Sequence, residues 1–328
     1  MLRTHLLAYI SALAPVPLLV AARKGWLADA GLSVRLTSEM GWSSLQRHLL
    51  ERKVAGAVVP ITYPLMLPQD TIYGPLPLRA CRIIAFHGFT ALVGRRLTQQ
   101  MAEGSFSEAI RLAVPGDCAP CNTLLRHWLR QSRWSSWLER LVEVPVSILE
   151  MNMYLEDEEV DLICTCEPWS TLAERRGIGQ SLCSGLDLYP LAPSGMFIYN
   201  PELVGDPAEF EGQMAAALSR AADWSGDPAN AFELSGLLME EGWGLSGDDL
   251  KSVIRAPGAG YPQNSSFIAF RLPGRDNNIH AADVAFALRF CERRSHEPGE
   301  REVILRNARM AFGDNLTEAA LKIEQKTG

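Results

Sequence analysis

Apolar and polar residues alternate along the first third of the chain in a strand-then-helix rhythm. Residues 5–11 (HLLAYIS) form a short apolar run with strand character, and residues 17–30 (PLLVAARKGWLADA) carry helical apolar spacing that stops at Gly31. Residues 32–36 (LSVRL) alternate as a half-buried strand does. Residues 43–53 (SSLQRHLLERK) predict an amphipathic helix capped by Ser43 or Ser44, and residues 55–61 (AGAVVPI) a buried strand. This β-α-β-α-β order predicts a parallel sheet with right-handed crossovers.

The rhythm then begins again. Residues 83–94 read as extended chain around Gly88. Strands at 110–114, 141–144 and 160–164 (VDLIC) alternate with helices at 121–131 (CNTLLRHWLRQ) and 146–155. Beyond Asn200 the chain reads as mostly helical, with helices at 207–224, 228–241, 248–255 and 280–294 and a glycine- and proline-rich stretch at 257–274. Residues 196–199 (MFIY) read as a return to the first unit. Two α/β units, one built from both flanks of the other, predict a hinged cleft at facing strand ends. The expected division is 1–95 with 197–328 in one lobe and 96–196 in the other.

Length agrees with this division, because 328 residues exceed the roughly 100–200 of one ordinary core. The net charge of −7 comes without a basic stripe, so no direct nucleic-acid binding is expected. The apolar residues 6–22 superficially resemble an export signal. Pro15 and Pro17 interrupt them, and Arg23 and Lys24 follow where a cleavage site would lie. No membrane insertion is expected. Seven cysteines, an odd number in a chain this long, fit a reducing compartment better than a disulfide framework. The expected location is cytoplasmic, or periplasmic if an export signal preceded this sequence.

Five ordered segments carry a family resemblance: residues 14–25 (APVPLLVAARKG), 41–46 (GWSSLQ), 121–129 (CNTLLRHWL), 166–172 (CEPWSTL) and 176–179 (RGIG). The chain resembles the solute-binding proteins of nitrate, bicarbonate and sulfonate transporters. The resemblance implies the type II periplasmic-binding-protein fold: α/β, two-lobed, with a hinged cleft between the lobes. It implies a small-molecule-binding protein partnered by an ABC permease. Some relatives of this kind are cytoplasmic nitrate sensors that restrain an RNA-binding antiterminator; the interrupted export-like segment and the odd cysteine count point toward that kind, so a cytoplasmic ligand sensor or a diverged solute-binding protein is expected, with the antiterminator or the permease as partner.

The departures from the family fall on the ligand site. The resemblance puts Trp42 at a ligand-contacting tryptophan, Phe89 where a polar amide stands, Cys121 where a histidine stands and Gly195 where a lysine stands. A buried anion needs charge or several donors to offset lost hydration, so nitrate, nitrite and bicarbonate are expected to bind weakly or not at all. Trp42, Tyr63 and Phe89 suit an aromatic, larger or neutral ligand, and Gly195 is expected to leave room. The expected binding set is Trp42, Tyr63, Phe89, Cys121, Glu167 and Gly195. Trp169 reads as core, and His48, His87 and His127 read as solitary structural histidines.

Cys118, Cys121, Cys164 and Cys166 leave three readings open: a zinc or iron–sulfur site, a redox pair at a helix N-terminus, or plain small apolar residues. No cofactor is expected. Proteins of this fold also include enzymes of thiamine-precursor and menaquinone synthesis, so an enzyme is the second functional class. No GxSxG, HExxH, P-loop or dinucleotide fingerprint occurs to support it. No catalytic residue is assigned.

Overall fold

The computed structural model describes residues 3–67, 72, 74, 76–104, 109–115, 120–188, 193–243, 245–254, 267–292 and 299–327. In chain order the strands are β1 (Thr4–Ile10), β2 (Ser33–Glu39), β3 (Gly56–Val59), β4 (Arg79–His87), β5 (Phe89–Val93), β6 (Ile110–Val114), β7 (Leu141–Pro145), β8 (Leu162–Cys166), β9 (Gln180–Ser184), β10 (Pro193–Tyr199) and β11 (Ile268–Ala269). They form two sheets, ordered β11-β4-β10-β3-β1-β2 and β7-β6-β8-β5-β9.

In the first sheet β1 runs parallel to β2 and β3, as the alternating pattern predicts, and Leu7 pairs with both Leu36 and Gly56. β10 enters antiparallel between β3 and β4. In the second sheet β6, β7 and β8 are parallel, while β5 lies antiparallel between β8 and β9. Two strands here escaped the sequence reading: β5 as a member of the second sheet, and β9 altogether. Sheet membership puts the passages between sheets at Gly88 and between Ser184 and Pro193.

The helices cover these sheets. α1 (Val16–Arg23) and α2 (Trp26–Asp29) replace the single expected helix, because Gly25 turns left-handed at φ 76° between them. α3 (Trp42–Leu50) starts one residue before the expected cap. Its N-cap is Gly41, and the Ser44 hydroxyl instead donates to the Gly41 carbonyl at 3.0 Å. α4 (Arg95–Glu103) and α5 (Pro120–Gln131) follow. α6 (Met151–Glu156) is shorter than expected. The Val146 amide is drawn to the Val114 carbonyl at 3.0 Å, continuing the β7 edge, so the helix begins later. α7 (Trp169–Arg175) and α8 (Gly185–Leu188) complete the cover of the second sheet.

α9 (Pro207–Ser225) is the longest helix. The Asp206 carboxylate accepts from the Ala208 and Glu209 amides, Pro207 occupies its first turn, and Phe210, Met214, Leu218 and Ala221 enter the core beneath α1. α10 (Ala231–Glu240) and α11 (Gly247–Val253) follow, the latter opened by a Ser246–Asp249 capping box. α12 (Ala281–Glu292), α13 (Glu300–Phe312) and α14 (Asp314–Thr327) form a terminal helical group. It is tied back to the first sheet's loops by Asn307, whose amide donates to the Leu65 and Leu67 carbonyls at 2.9 and 3.1 Å. No helix among the described residues is long and apolar enough to cross a membrane.

Candidate functional site

The ends of the strands of both sheets meet at one cavity. The first sheet contributes Ile10 at the end of β1, Ala12, Ala14 and Pro15 after it, Val58, Val59 and Pro60 at the end of β3, and Ser194 and Ile268. The second contributes Phe89, Ile148, Cys166 and Glu167. His87 and Gly88 line it at the passage between the sheets, and Trp42 lines it from the start of α3. Its empty volume is about 500 Å³, much of it open to solvent. Among the described residues no lysine, arginine or side-chain amide lines it.

Three of the six sequence-nominated residues share this cavity: Trp42, Phe89 and Glu167. Tyr63 does not reach it. It is fully buried behind Trp42, with ring centroids 5.5 Å apart and its hydroxyl 3.4 Å from the Trp42 carbonyl, so it fixes that indole from the rear. Cys121, on α5, is buried against the second sheet, beside Cys164. Gly195 sits in β10 next to the cavity residue Ser194. A Cβ there would come within 3.1 Å of Ala14 and 3.2 Å of Ala85. The space expected at Gly195 is therefore already filled by those two alanines.

Glu167 follows the last residue of β8 and is 1% exposed. Its carboxylate accepts from the Thr171 hydroxyl at 3.1 Å, one turn into α7. Its backbone joins the sheets: the Glu167 amide donates to the Gly88 carbonyl, and the Leu13 amide donates to the Glu167 carbonyl, both at 2.8 Å. Trp169 adds a bond from its indole nitrogen to the Ser11 carbonyl at 2.9 Å. On the other rim the Ser147 hydroxyl donates to the Met40 carbonyl at 3.2 Å. Arg175 on α7 pairs with Asp249 on α11. The Glu-Pro-Trp segment thus acts as a clasp between the lobes as well as a wall of the cavity.

Sequence reading passed over Ser194 and read His87 as a structural histidine. His87 is fully buried at φ 60°, next to Gly88 at φ 79°, so two successive left-handed residues turn the chain from one sheet to the other. Burial pushes the imidazole pKa down to about 4, which leaves it neutral at physiological pH. Its ring lies 4.9 Å from that of Phe267. The signal was present in the sequence: a His-Gly pair ending a long apolar run marks a sharp turn after a buried strand.

The thiols gather on one face of the second sheet. Ala91 pairs with Cys164 on one side and Cys183 on the other, and Cys166 follows two residues along β8. Burial pushes the thiols of Cys164, Cys166 and Cys183 well up, with Cys121 raising Cys164 further. A thiol so placed is a poor source of the thiolate that metal binding or redox exchange uses. Among the described residues no cluster of three or more potential ligands could hold a metal ion. Cys118 lies outside the described residues.

The architecture is shared by solved proteins. The periplasmic nitrate-binding protein NrtA from Synechocystis PCC 6803 superposes with a TM-score of 0.78 at 16% identity, over 98% of this chain and 89% of that one. The zinc-bound ligand-binding component of an ABC-type import system from Staphylococcus aureus gives 0.70 at 15% identity, over 92% and 98%. The periplasmic aliphatic sulphonate binding protein SsuA from Escherichia coli gives 0.62 at 13%, over 88% and 85%. These likenesses establish the two-lobed periplasmic-binding-protein fold.

Among curated relatives, the bicarbonate transport ATP-binding protein CmpC of Synechococcus elongatus is 24% identical over 245 residues, covering 71% of this chain and 37% of that protein. The nitrate import ATP-binding protein NrtC of Synechocystis is 24% identical over 232 residues, covering 66% and 34%. The chain thus spans about a third of the length of these relatives. The family model for the NMT1-like family matches residues 3–239, a span that holds both sheets except β11 and every cavity-lining residue but Ile268, and the chain belongs to that family.

Proposed function

We propose that the protein binds a small molecule in the cavity between its lobes and closes on it, and that its ligand differs from nitrate, nitrite and bicarbonate. One observation carries this reading: strand ends of both sheets supply the walls, and neither lysine nor arginine stands among the described lining residues. A buried anion there would meet no compensating lysine or arginine among the described lining residues. Trp42 and Phe89 supply aromatic surface for a larger or neutral ligand, with Tyr63 as the support of Trp42. The lobes divide near Gly88 and between Ser184 and Pro193, and a ligand touching both would favour the closed state.

The partner that fits a binding protein of this kind is an ABC permease. The sensing alternative, with an RNA-binding antiterminator in the cytoplasm, draws support from the six described cysteines, all free. An enzymatic role has less support, since no second carboxylate stands among the described lining residues. Isothermal titration with nitrate, nitrite and bicarbonate tests the ligand reading. No heat above dilution is expected for any of the three, and micromolar binding of one would refute it.

A further inference from the structure

The residues that line the cavity carry polar atoms, yet the fold turns several of these away from it and engages others. Trp42 Nε1, Ser194 Oγ and both ring nitrogens of His87 are cut off from solvent, although all three residues line the cavity. An atom that water cannot touch is not one that a ligand in the cavity meets. Trp42 is partly exposed, so the surface its side chain presents is carbon.

Main-chain groups at the cavity are engaged as well. The Gly88 amide donates to the Phe267 carbonyl, and the Gly88 carbonyl accepts from the Glu167 amide, both at 2.8 Å. The start of a helix ordinarily offers free amides to a polar or anionic ligand. α1 begins directly after the lining residues Ala14 and Pro15, and it offers none. Pro15 and Pro17 have no N–H, and the Val16 amide donates to the Leu13 carbonyl at 3.0 Å. The Leu18 and Leu19 amides both turn to the Pro15 carbonyl, at 2.9 and 3.2 Å. On the opposite wall the carboxyl oxygens of Glu167 face α7, where they accept from the Thr171 amide at 3.4 Å and the Thr171 hydroxyl at 3.1 Å. What is left for a ligand is mainly hydrocarbon: Ile10, Val58 and the indole carbons of Trp42 from one lobe, Phe89 and Ile148 from the other.

We propose that the part of the ligand enclosed by the cleft is an uncharged hydrocarbon group, aromatic or branched, that makes no hydrogen bond to the walls. This rests on the cleft being the ligand site. A hydroxyl, amide, carboxylate or ammonium placed there would give up its hydration and receive nothing in return, whereas a hydrocarbon gains by leaving water.

Four probes of one benzyl skeleton separate these cases: ethylbenzene, benzyl alcohol, benzylamine and benzoate, titrated by calorimetry into the full chain. Ethylbenzene is expected to bind about tenfold tighter or more than each of the others, because a buried polar group without a partner costs at least that much. Two variants block the cleft from opposite walls, Ile148→Trp from the second lobe and Ala12→Leu from the first. Each is expected to abolish ethylbenzene binding while keeping the circular dichroism spectrum of the parent, and either one suffices if the other fails to fold. Benzyl alcohol, benzylamine or benzoate binding as tightly as ethylbenzene, with that binding lost in the blocked variants, overturns the hydrocarbon assignment and leaves the cleft as the site. Binding of none of the four overturns the assignment as well. Ethylbenzene binding that survives in a folded blocked variant places the site elsewhere and overturns the cleft reading together with the proposal.

Discussion

The indole nitrogen of Trp169 donates to the main-chain carbonyl of Ser11 at 2.9 Å, so a side chain of the second lobe holds the loop that follows the first strand of the first lobe. That loop also supplies Ala12, Ala14 and Pro15 to the cavity. The same bond therefore joins the lobes and shapes the site. Trp169 was expected as core, and the structure gives it a more specific place.

Trp169→Phe keeps most of the apolar contact and removes this one donor. We expect a stability loss of about 0.5–1.5 kcal/mol, the net worth of one hydrogen bond. We also expect a larger radius of gyration in the ligand-free protein by small-angle scattering, because the lobes lose a direct tie. An unchanged radius would show that Arg175–Asp249 and the Leu13–Glu167 bond suffice for closure.

Gly195→Ala places a methyl 3.1 Å from Ala14 and 3.2 Å from Ala85. Overpacking of a buried strand of this kind costs about 1–3 kcal/mol. Chemical denaturation should show that loss. A neutral result would mean that the Ala14 loop yields freely and that Gly195 borders open space after all.

His87 couples stability to pH. Its folded pKa of about 4 lies below the unfolded value of 6.5, so the unfolded chain holds more protons between these two values. Stability should therefore fall as pH drops from about 6.5 to about 4, by about 3 kcal/mol at the lower end. His87→Asn retains a residue tolerant of left-handed backbone and removes the titration. Denaturation midpoints at pH 7 and pH 4.5 should differ less in the variant than in the parent.

Asp161 gives an acid-sensitive anchor for the second lobe. It is 1% exposed, and burial alone would raise its pKa. The guanidinium of Arg111, at 2.9 and 3.0 Å, and that of Arg96, at 2.5 and 2.7 Å, outweigh burial and hold the carboxyl below its usual value. Its stabilisation is present above the unfolded pKa near 4 and disappears as pH falls through the lower folded value. Asp161→Asn should cost about 1–3 kcal/mol at pH 7, and the difference from the parent should shrink as pH falls below the ordinary carboxylate value of about 4.

Much of the frame was legible because strand and helix periods are local. β6 falls where the apolar run 110–114 places it, and α5 begins within one residue of the reading. The partners of β5 and β9 were not legible, since pairing across 90 residues leaves no period in the sequence. Site residues divide in the same way. Trp42 and Glu167 sit at an element's start or end, where a resemblance can place them. Ser194 escaped notice because nothing in Pro-Ser-Gly reveals that its hydroxyl is buried. Tyr63 and Cys121 were nominated for the cavity, but an aromatic ring and a thiol are equally at home one layer behind it.

The position of β10 also governs the order in which the molecule can assemble on the ribosome. β4 reaches β3 only through β10, which lies between them in the first sheet yet is made more than a hundred residues after β4 begins. The second sheet, by contrast, is drawn wholly from the contiguous stretch between Phe89 and Ser184. The emerging chain can thus complete its later lobe first, with β4 left as an unpaired apolar edge until residues 193–199 leave the exit tunnel and seal it.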